Sequence, residues 1–177
     1  VLNDQRQVIF TQRKEVLSTK EISAFVDKLL DDEINQVLSE KSKSINLEQN
    51  KILRSKFEIL LQNSDNDYLN KILSSNQNNI INAIKEKFFE KRNQRAAKIS
   101  VIGNNDLERK IFLQIIDINW KNHIQYLEQL RQVIGLRSYG QRDPLIEYKK
   151  ESFQLFEKLL EKIRQDTLSV LLNIKIK

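Results

Sequence analysis

Apolar residues recur every three or four positions along almost the whole chain, which is the spacing of one face of an α-helix. Only three Gly and one Pro interrupt this pattern, so few positions favour a turn or a break. The spacing therefore predicts an all-α protein. The predicted helices cover about 2–17, 19–40, 47–62, 68–73, 79–101, 107–135 and 144–172, with polar stretches at 41–46, 63–67, 74–79 and 103–106.

Several sequence signals predict where helices begin. Ser18 and Asn105 are each followed three residues later by Glu, which is the spacing of a capping box. Asp143 is followed by Pro144, and this pair predicts an N-cap and a first helical residue. Proline is tolerated at that position because the amide hydrogen it lacks would have had no partner there.

The C-terminal part carries the clearest pattern, a seam of large side chains on each of two long helices. The first seam consists of Ile116, Trp120, His123, Leu127, Leu130 and Ile134. The second consists of Leu145, Tyr148, Ser152, Leu155, Leu159, Ile163, Val170 and Ile174. Long helices joined by a short loop are expected to pack as antiparallel neighbours. We therefore predict a helical hairpin over 107–172, roughly 40–45 Å long at ~1.5 Å per residue.

Composition excludes several classes of function. The 177 residues include no Cys and one His, which rules out disulfides, thiolate metal sites and sites built from several His. No Gly-rich phosphate loop is present, so we expect no cofactor, no metal and no catalytic residue in this chain. No run of about 18 apolar residues predicts a membrane-spanning helix. The chain has no Met and begins with Val1, from which we expect a segment of a longer protein.

The net charge of +6 is compatible with an anionic partner, such as an anionic membrane surface, without requiring one. Six Lys and Arg residues between 85 and 98 scatter around their predicted helix, and Glu86 and Glu90 lie among them. This arrangement favours a solvated helix over a nucleic-acid-binding face.

Two kinds of candidate residue lie on the predicted hairpin. Trp120 and His123 lie on the first seam and are predicted to be structural, because His123 has no evident nucleophile to activate. The tip, which we define as residues 136–143, combines Arg137, Tyr139 and Arg142. An aromatic ring on a narrow exposed tip has no core to fill, and exposed aromatic and Arg residues together are typical of a contact site.

The same segment resembles the SecA family, the motor subunits of bacterial preprotein translocase. It reads Asp117-Ile-Asn-Trp120-Lys-Asn-His123, then Tyr126-Leu-Glu-Gln-Leu-Arg131-Gln-Val-Ile-Gly135-Leu-Arg137-Ser-Tyr139-Gly-Gln-Arg-Asp143-Pro144, then Glu147-Tyr148-Lys-Lys-Glu151-Ser152-Phe153. Asn3-Asp4-Gln5-Arg6 and Gln12-Arg13 similarly resemble the family's long scaffold helix. Leu127, Glu128 and Val133 depart from the family's usual Met, Asp and Gly, and a helix accepts all three.

The resemblance implies three domains and a role for each. Residues 1–19 would end a long scaffold helix, 20–103 would form the helical wing, and 104–177 would form the scaffold two-helix finger. In the family this finger enters the cytoplasmic mouth of the SecY channel, and its tip contacts the unfolded preprotein. The matching contact residues are Leu136, Arg137, Tyr139, Gln141 and Arg142. The residues that hold the hairpin would be Trp120, His123, Leu127, Asp143, Pro144 and Tyr148.

Further expectations concern what lies outside the chain. ATP and magnesium would bind in domains of the longer family members that are missing here, so we expect no ATP hydrolysis by this chain alone. The remaining SecA domains, the SecY channel and the preprotein are the implied partners, and no nucleic acid is expected. The implied location is the cytoplasmic face of a bacterial membrane, as a peripheral protein.

Two other interpretations stay open from the residues themselves. A nucleic-acid-binding helical hairpin would explain the basic charge and the Arg and Tyr of the tip, and its affinity would fall steeply with salt. A coiled-coil adaptor would satisfy both seams with a partner chain and would tolerate any residue at the tip.

Overall fold

The computed structural model describes residues 2–43, 46–137 and 143–176, and the regular elements in these ranges are all α-helices. They are α1 (Leu2–Ser18), α2 (Ser23–Lys43), α3 (Leu47–Leu61), α4 (Asn66–Leu73), α5 (Gln77–Arg137) and α6 (Pro144–Asn173). The predicted all-α class is confirmed. In the same ranges no helix is both long and apolar enough to cross a membrane.

The N-caps show which start signals were read correctly. Asp143 Oδ1 accepts from the Leu145 amide at 3.0 Å, which confirms the predicted start of α6. The capping box at Ser18 is wrong. Ser18 is the last residue of α1 and its hydroxyl donates to the Glu15 carbonyl, while α2 begins only at Ser23.

The predicted break at 103–106 lies instead at Ser100, inside α5. Ser100 has φ 74° and ψ 165°, a conformation found almost only in Gly, and helical backbone resumes directly after it. Its hydroxyl accepts from the Gly103 amide at 3.1 Å and so caps the second part of the helix. The capping box at Asn105 is therefore also wrong, and Asn105 Oδ1 instead accepts from the Ile22 amide at 2.9 Å.

The chain divides into two compact units, and α5 and α6 contribute residues to both. Unit 1 comprises 1–20 and 109–166, and unit 2 comprises 21–108 and 167–177. Residues 167–177 thus pack with residues assigned by sequence to the wing, although the division into scaffold, wing and finger stays a prediction.

Unit 2 is a helical cluster with an aliphatic and aromatic core. Its fully buried side chains come from α2 to α6 and include Val26, Leu30, Phe57, Leu69, Ile84, Phe88 and Leu171. Lys56 of α3 binds Glu40 of α2 at 3.1 Å. The side chain of Arg54 donates to Asn66 and Asn70 at 3.0 Å, which ties α3 to α4.

A buried carboxylate organises the charges of unit 2. Glu108 is fully buried, and its Oε1 accepts from Arg92 at 2.9 Å, while Arg92 also donates to Asp27 at 2.7 Å. Burial lowers the pKa of Arg92, but the hydrogen bonds and charges of Glu108 and Asp27 outweigh burial and leave that pKa above its ordinary value. Arg92 therefore stays charged and links α2 to both parts of α5.

Arg95 is the second cation of this cluster, and its side chain is buried. It donates to Asn104 Oδ1 at 2.9 Å and to the Leu171 carbonyl at 2.7 Å. The pKa of Arg95 lies below its ordinary value, chiefly because the side chain is buried. The nearby charge of Glu108 raises this pKa, whereas the charge of Arg92 lowers it further. Asn104 lies beyond the Ser100 break, and Leu171 lies in α6. Arg95 therefore fixes the position of the first part of α5 against the second part and against α6.

Replacing Ser100 tests the position of the break. Gly is normally less stable than Ala inside a helix by ~1 kcal/mol. At φ 74° the order is expected to reverse, with Ser100→Gly more stable than Ser100→Ala by about 1–2 kcal/mol in urea unfolding. Both variants lack the hydroxyl cap, so the difference between their free energies of unfolding reports the backbone preference at position 100. An Ala variant that is the more stable of the two would mean that position 100 is helical.

Replacing Glu108 tests the buried charge cluster. Glu108→Ala leaves the buried guanidinium of Arg95 without its nearby carboxylate and leaves Arg92 with Asp27 alone, and we expect a loss of about 3–5 kcal/mol in the free energy of unfolding. Lys87→Ala is the matched control, because it removes a solvent-accessible ion pair with Glu90 and should change stability by no more than about 0.5 kcal/mol. Similar losses for the two variants would show that the cluster contributes no more than a surface pair.

Candidate functional site

The second part of α5 and the part of α6 that belongs to unit 1 pair as antiparallel helices, as the sequence predicted. Asn119 of α5 donates to Asp166 of α6 at 3.1 Å, and four residues further along α5 the His123 ring lies 5.9 Å from that of Phe156. Rising positions on α5 therefore meet falling positions on α6. The part of α6 that belongs to unit 1, residues 144–166, spans about 35 Å at ~1.5 Å per residue.

A buried amide joins the hairpin to α1. The Gln5 Nε2 donates to the Ser152 carbonyl of α6 at 3.1 Å, and its Oε1 lies 2.7 Å from His123 Nε2 of α5. Because the amide nitrogen of Gln5 is used as a donor, its oxygen must accept, and His123 Nε2 must carry its hydrogen. The Ser152 hydroxyl in turn donates to the Tyr148 carbonyl. Three helices thus meet at one polar node.

The environment of His123 keeps its ring neutral. The ring is buried, with Trp120 at 5.5 Å and Phe156 at 5.9 Å between ring centroids. Burial lowers the pKa of His123 below its ordinary value of 6.5, since a charged ring is poorly solvated there. The neutral ring donates to Gln5, and none of the described carboxylates is bound to it, so the observed contacts of His123 are ones that join helices.

Two further contacts in unit 1 join α1 to α5, both on the C-terminal side of Gln5 along α1. Arg13 donates to Asp117 at 3.0 Å, and this hydrogen bond raises the pKa of Arg13. Arg109 donates to the Thr19 carbonyl at 2.6 Å and so caps the C-terminal end of α1. These bonds keep α1 antiparallel to the second part of α5.

Most of the predicted seam residues are buried, but the second seam was partly wrong. Trp120, His123 and Leu127 on α5 are buried as predicted, as are Ser152, Leu159 and Ile163 on α6. Leu145 and Val170 are exposed, and Tyr148 is half-buried. Past Ile163 the buried face of α6 includes Thr167, Leu168, Leu171 and Leu172. The buried positions drift around α6 because 3.6 residues per turn do not match a spacing of 3.5.

Exposed aliphatic side chains lie at the end of α5 and at the start of α6. Leu136 is 75% exposed at the end of α5, while Leu145 and Ile146 are 59% and 64% exposed at the start of α6. Asp143 and Pro144 are exposed where α6 begins. Single exposed aliphatic residues are ordinary, and these three lie at the helix ends that border the predicted contact residues in the sequence.

The remaining predicted contact residues cannot be placed. Tyr139, Gln141 and Arg142 lie outside the described residues, and so does the side chain of Arg137. Their roles stay predictions. Within the described part of the chain, no group of His, Asp and Glu residues is arranged to hold a metal ion.

Gln5 is the structural residue that the seam analysis missed. Its signal was present, since it lies four positions before Ile9 and therefore on the same buried helical face. A polar residue on an apolar stripe requires a buried partner, but the sequence does not say which of the other helices supplies it.

The His123 node predicts a pH-dependent stability. The pKa is lower in the folded chain than the unfolded value near 6.5, so the unfolded chain binds more protons as the pH falls through 6.5. Stability should therefore be greatest above pH 6.5 and fall below it, by up to about 1.4 kcal/mol per pH unit. Urea unfolding at pH 7.5 and 5.5 measures this difference. The variant His123→Gln contains no His, and its difference should be smaller; an equal difference in both proteins would contradict the prediction.

Comparison with known proteins finds matches that cover almost the whole chain. The model of the SecA Wing and Scaffold domain matches residues 1–175. The protein translocase subunit SecA of Pelagibacter ubique (strain HTCC1062) is 46% identical over 178 residues, which cover 99% of this chain and 21% of that protein. The corresponding subunit of Thermodesulfovibrio yellowstonii is 36% identical over 182 residues, covering 100% of this chain and 19% of that protein.

These matches extend through the central segment, for which the residues alone offered no motif. The chain spans about a fifth of the length of the curated relatives it matches. The match covers α1 and the hairpin as well as the helices of unit 2, so the family resemblance inferred from both ends of the sequence is confirmed. The chain belongs to the SecA family and corresponds to its wing and scaffold region.

Proposed function

We propose that this chain serves a protein-translocating ATPase as the segment that carries its two-helix finger, with the tip contacting a SecY-type channel and the preprotein in transit. The observation that carries the proposal is the antiparallel pairing of α5 and α6 next to a tip, residues 136–143, whose sequence resembles the family pattern. ATP and magnesium would bind to other domains of the full-length protein, and this chain would transmit or sense their changes.

The support from the described residues is mechanical. Helices satisfy their own backbone hydrogen bonds, and a buried seam closed by the Gln5 node makes the pair stiff. A stiff pair can hold or move its end against a load, because displacement at its base is carried to the tip rather than absorbed by bending. A tip about 40 Å from the base of the hairpin could act inside a channel mouth.

The chemistry of the tip suits a substrate without a fixed sequence. A shaped pocket would select a few side chains, whereas an aromatic ring makes favourable contacts with many. Tyr139 would supply that ring, Leu136 would add aliphatic surface, and Gln141 would hydrogen-bond peptide groups. Arg137 and Arg142 would pair with acidic side chains of the channel or the substrate.

The proposed location follows from the same role. A channel-bound motor works at the membrane surface on the side where ATP is present, so we propose a peripheral protein at the cytoplasmic face. The net charge of +6 would favour contact with anionic lipids there.

Substitution at the tip in the full-length protein tests the proposal. We expect Tyr139→Ala to reduce the rate of preprotein translocation at least about tenfold while basal ATP hydrolysis stays within about twofold, and Tyr139→Phe to retain most translocation. Translocation into inverted membrane vesicles and ATP hydrolysis without substrate are the two measurements.

Phe153→Ala is the matched control, because it removes another exposed ring of the same hairpin, nine residues into α6. This variant should translocate normally. Equal loss of translocation and basal hydrolysis in Tyr139→Ala, or equal effects of the two Ala variants, would overturn the role of the tip.

A further inference from the structure

Unit 2 contains a pocket of about 690 Å³ that is lined by the first part of α5 and by residues 174–176, which follow α6. We call it the basic pocket. Its α5 side presents Lys91, Gln94, Arg95 and Lys98, and Lys175 lies on the other side. No carboxylate is among the lining residues that the structure describes. A volume of this size is typical of small-molecule sites.

The six Lys and Arg residues between 85 and 98 divide into two groups in the structure. Three form ion pairs with the carboxylates of Asp31, Glu90 and Asp27, and these are Lys85, Lys87 and Arg92. The other three line the basic pocket, and these are Lys91, Arg95 and Lys98. At ~100° per residue, the second group lies within about 60° on the helix surface. Cations that the spacing alone presents as scattered therefore converge on one place.

Arg95 has an unused donor although its side chain is only 5% exposed. Its Nε and Nη1 donate to Asn104 and to the Leu171 carbonyl, but its Nη2 is buried and has no hydrogen-bond partner. Glu108 Oε1 lies 4.0 Å from this nitrogen, beyond hydrogen-bond distance, and already accepts from Arg92. A buried donor without a partner costs about 1–3 kcal/mol. An acceptor that enters the basic pocket would therefore be stabilised by Arg95.

The three Lys residues of the basic pocket bind no carboxylate in the described ranges. Lys98 Nζ donates to the Ile176 carbonyl at 2.9 Å, and this bond ties the residues after α6 to α5. An ammonium group has three donors, so Lys98 has two left. Lys91 and Lys175 make no hydrogen bond to any described residue. A solvated helix face usually intersperses acids with bases, so this concentration of unpaired cations favours an anionic ligand.

The number of donors favours a phosphate group over other anions. A phosphate ester carries about −1.5 to −2 charges at pH 7 and has three strong acceptor oxygens, so it can bind several of these cations at once. A single carboxylate has one charge and two oxygens and would leave more of the donors unused. A nucleic acid is bound by a row of cations along a surface, but the neighbouring cations Lys85 and Lys87 are already paired with acids.

We propose that the basic pocket binds the doubly charged phosphate group of a small soluble molecule. Arg95 supplies a buried charge at this site, and the three Lys residues supply ammonium donors around it. The bound phosphate links the first part of α5 to residues 174–176. This site lies within unit 2, and its existence does not depend on the proposed function of the tip.

Acetylation of Lys amines in the full-length protein, measured residue by residue with mass spectrometry, tests this proposal. Inorganic phosphate is the probe, used up to about 20 mM at about pH 8, with NaCl adjusted to keep the ionic strength constant. We expect phosphate to slow the acetylation of Lys98 and Lys175 at least about threefold, with half of the effect at about 1 mM or below. Lys85, which binds Asp31 outside the pocket, should react at an unchanged rate.

A matched pair of variants tests the contribution of the pocket cations. Lys91→Gln removes a cation that has no other described partner, so the phosphate concentration that gives half-protection of Lys98 should rise about five- to tenfold. Lys85→Gln is the control, because it removes a cation of the same helix that does not line the pocket. This variant should stay within about twofold of the parent protein.

Three results would overturn the phosphate site. Equal slowing at Lys85 and Lys98 would show a general effect of phosphate on the reaction, and equal shifts in the two Gln variants would show that the pocket cations have no special part. The third result comes from vesicles of phosphatidylcholine with and without phosphatidic acid. Protection of Lys98 by phosphatidic acid but not by inorganic phosphate would mean that a lipid headgroup, and not a soluble molecule, occupies the pocket.

Discussion

The hairpin depends on one buried amide, that of Gln5. Apolar contacts along helix seams have little directionality, so a helix can slide by a turn and still bury similar surface. Gln5 does not permit this, because it must donate to the Ser152 carbonyl and accept from His123 at the same time. A buried polar group left without a partner costs about 1–3 kcal/mol. The node therefore fixes the register of α1, α5 and α6 against one another.

In unit 2, charged side chains rather than a neutral amide select one packing arrangement. Glu108 is fully buried between Arg92 and Arg95, and the two Arg residues reach Asp27 and the Leu171 carbonyl. Removing charges from water costs about as much as their attraction returns, so such a cluster contributes more to the choice of one arrangement than to net stability. In each unit a few directional bonds select among packings that the apolar core alone would accept.

The sequence predicted what depends on local order and periodicity. The all-α class, the Asp143-Pro144 start and most of the first seam follow from spacing and capping chemistry, and the family was recognised from the hairpin motif. The break at Ser100 was not predictable, because Gly103 and the polar residues after it are stronger local signals for a turn. Those residues are nevertheless helical, because the break falls earlier, at Ser100, which adopts a backbone conformation disfavoured for Ser. The partners of Gln5 depend on tertiary packing, which single-sequence periodicity does not contain.

The proposed transport role requires binding that is general and reversible. A polypeptide moving past a motor must be held by contacts that any sequence can make, and each contact must be weak enough to release. A rigid hairpin meets this requirement if its recognition groups lie outside its core. Asn122, Gln125 and Gln129 are exposed, whereas Gln5 and His123 are buried and already paired. Similar polar groups thus differ according to burial: those inside fix one structure, and under the proposed role those outside would remain available to the substrate.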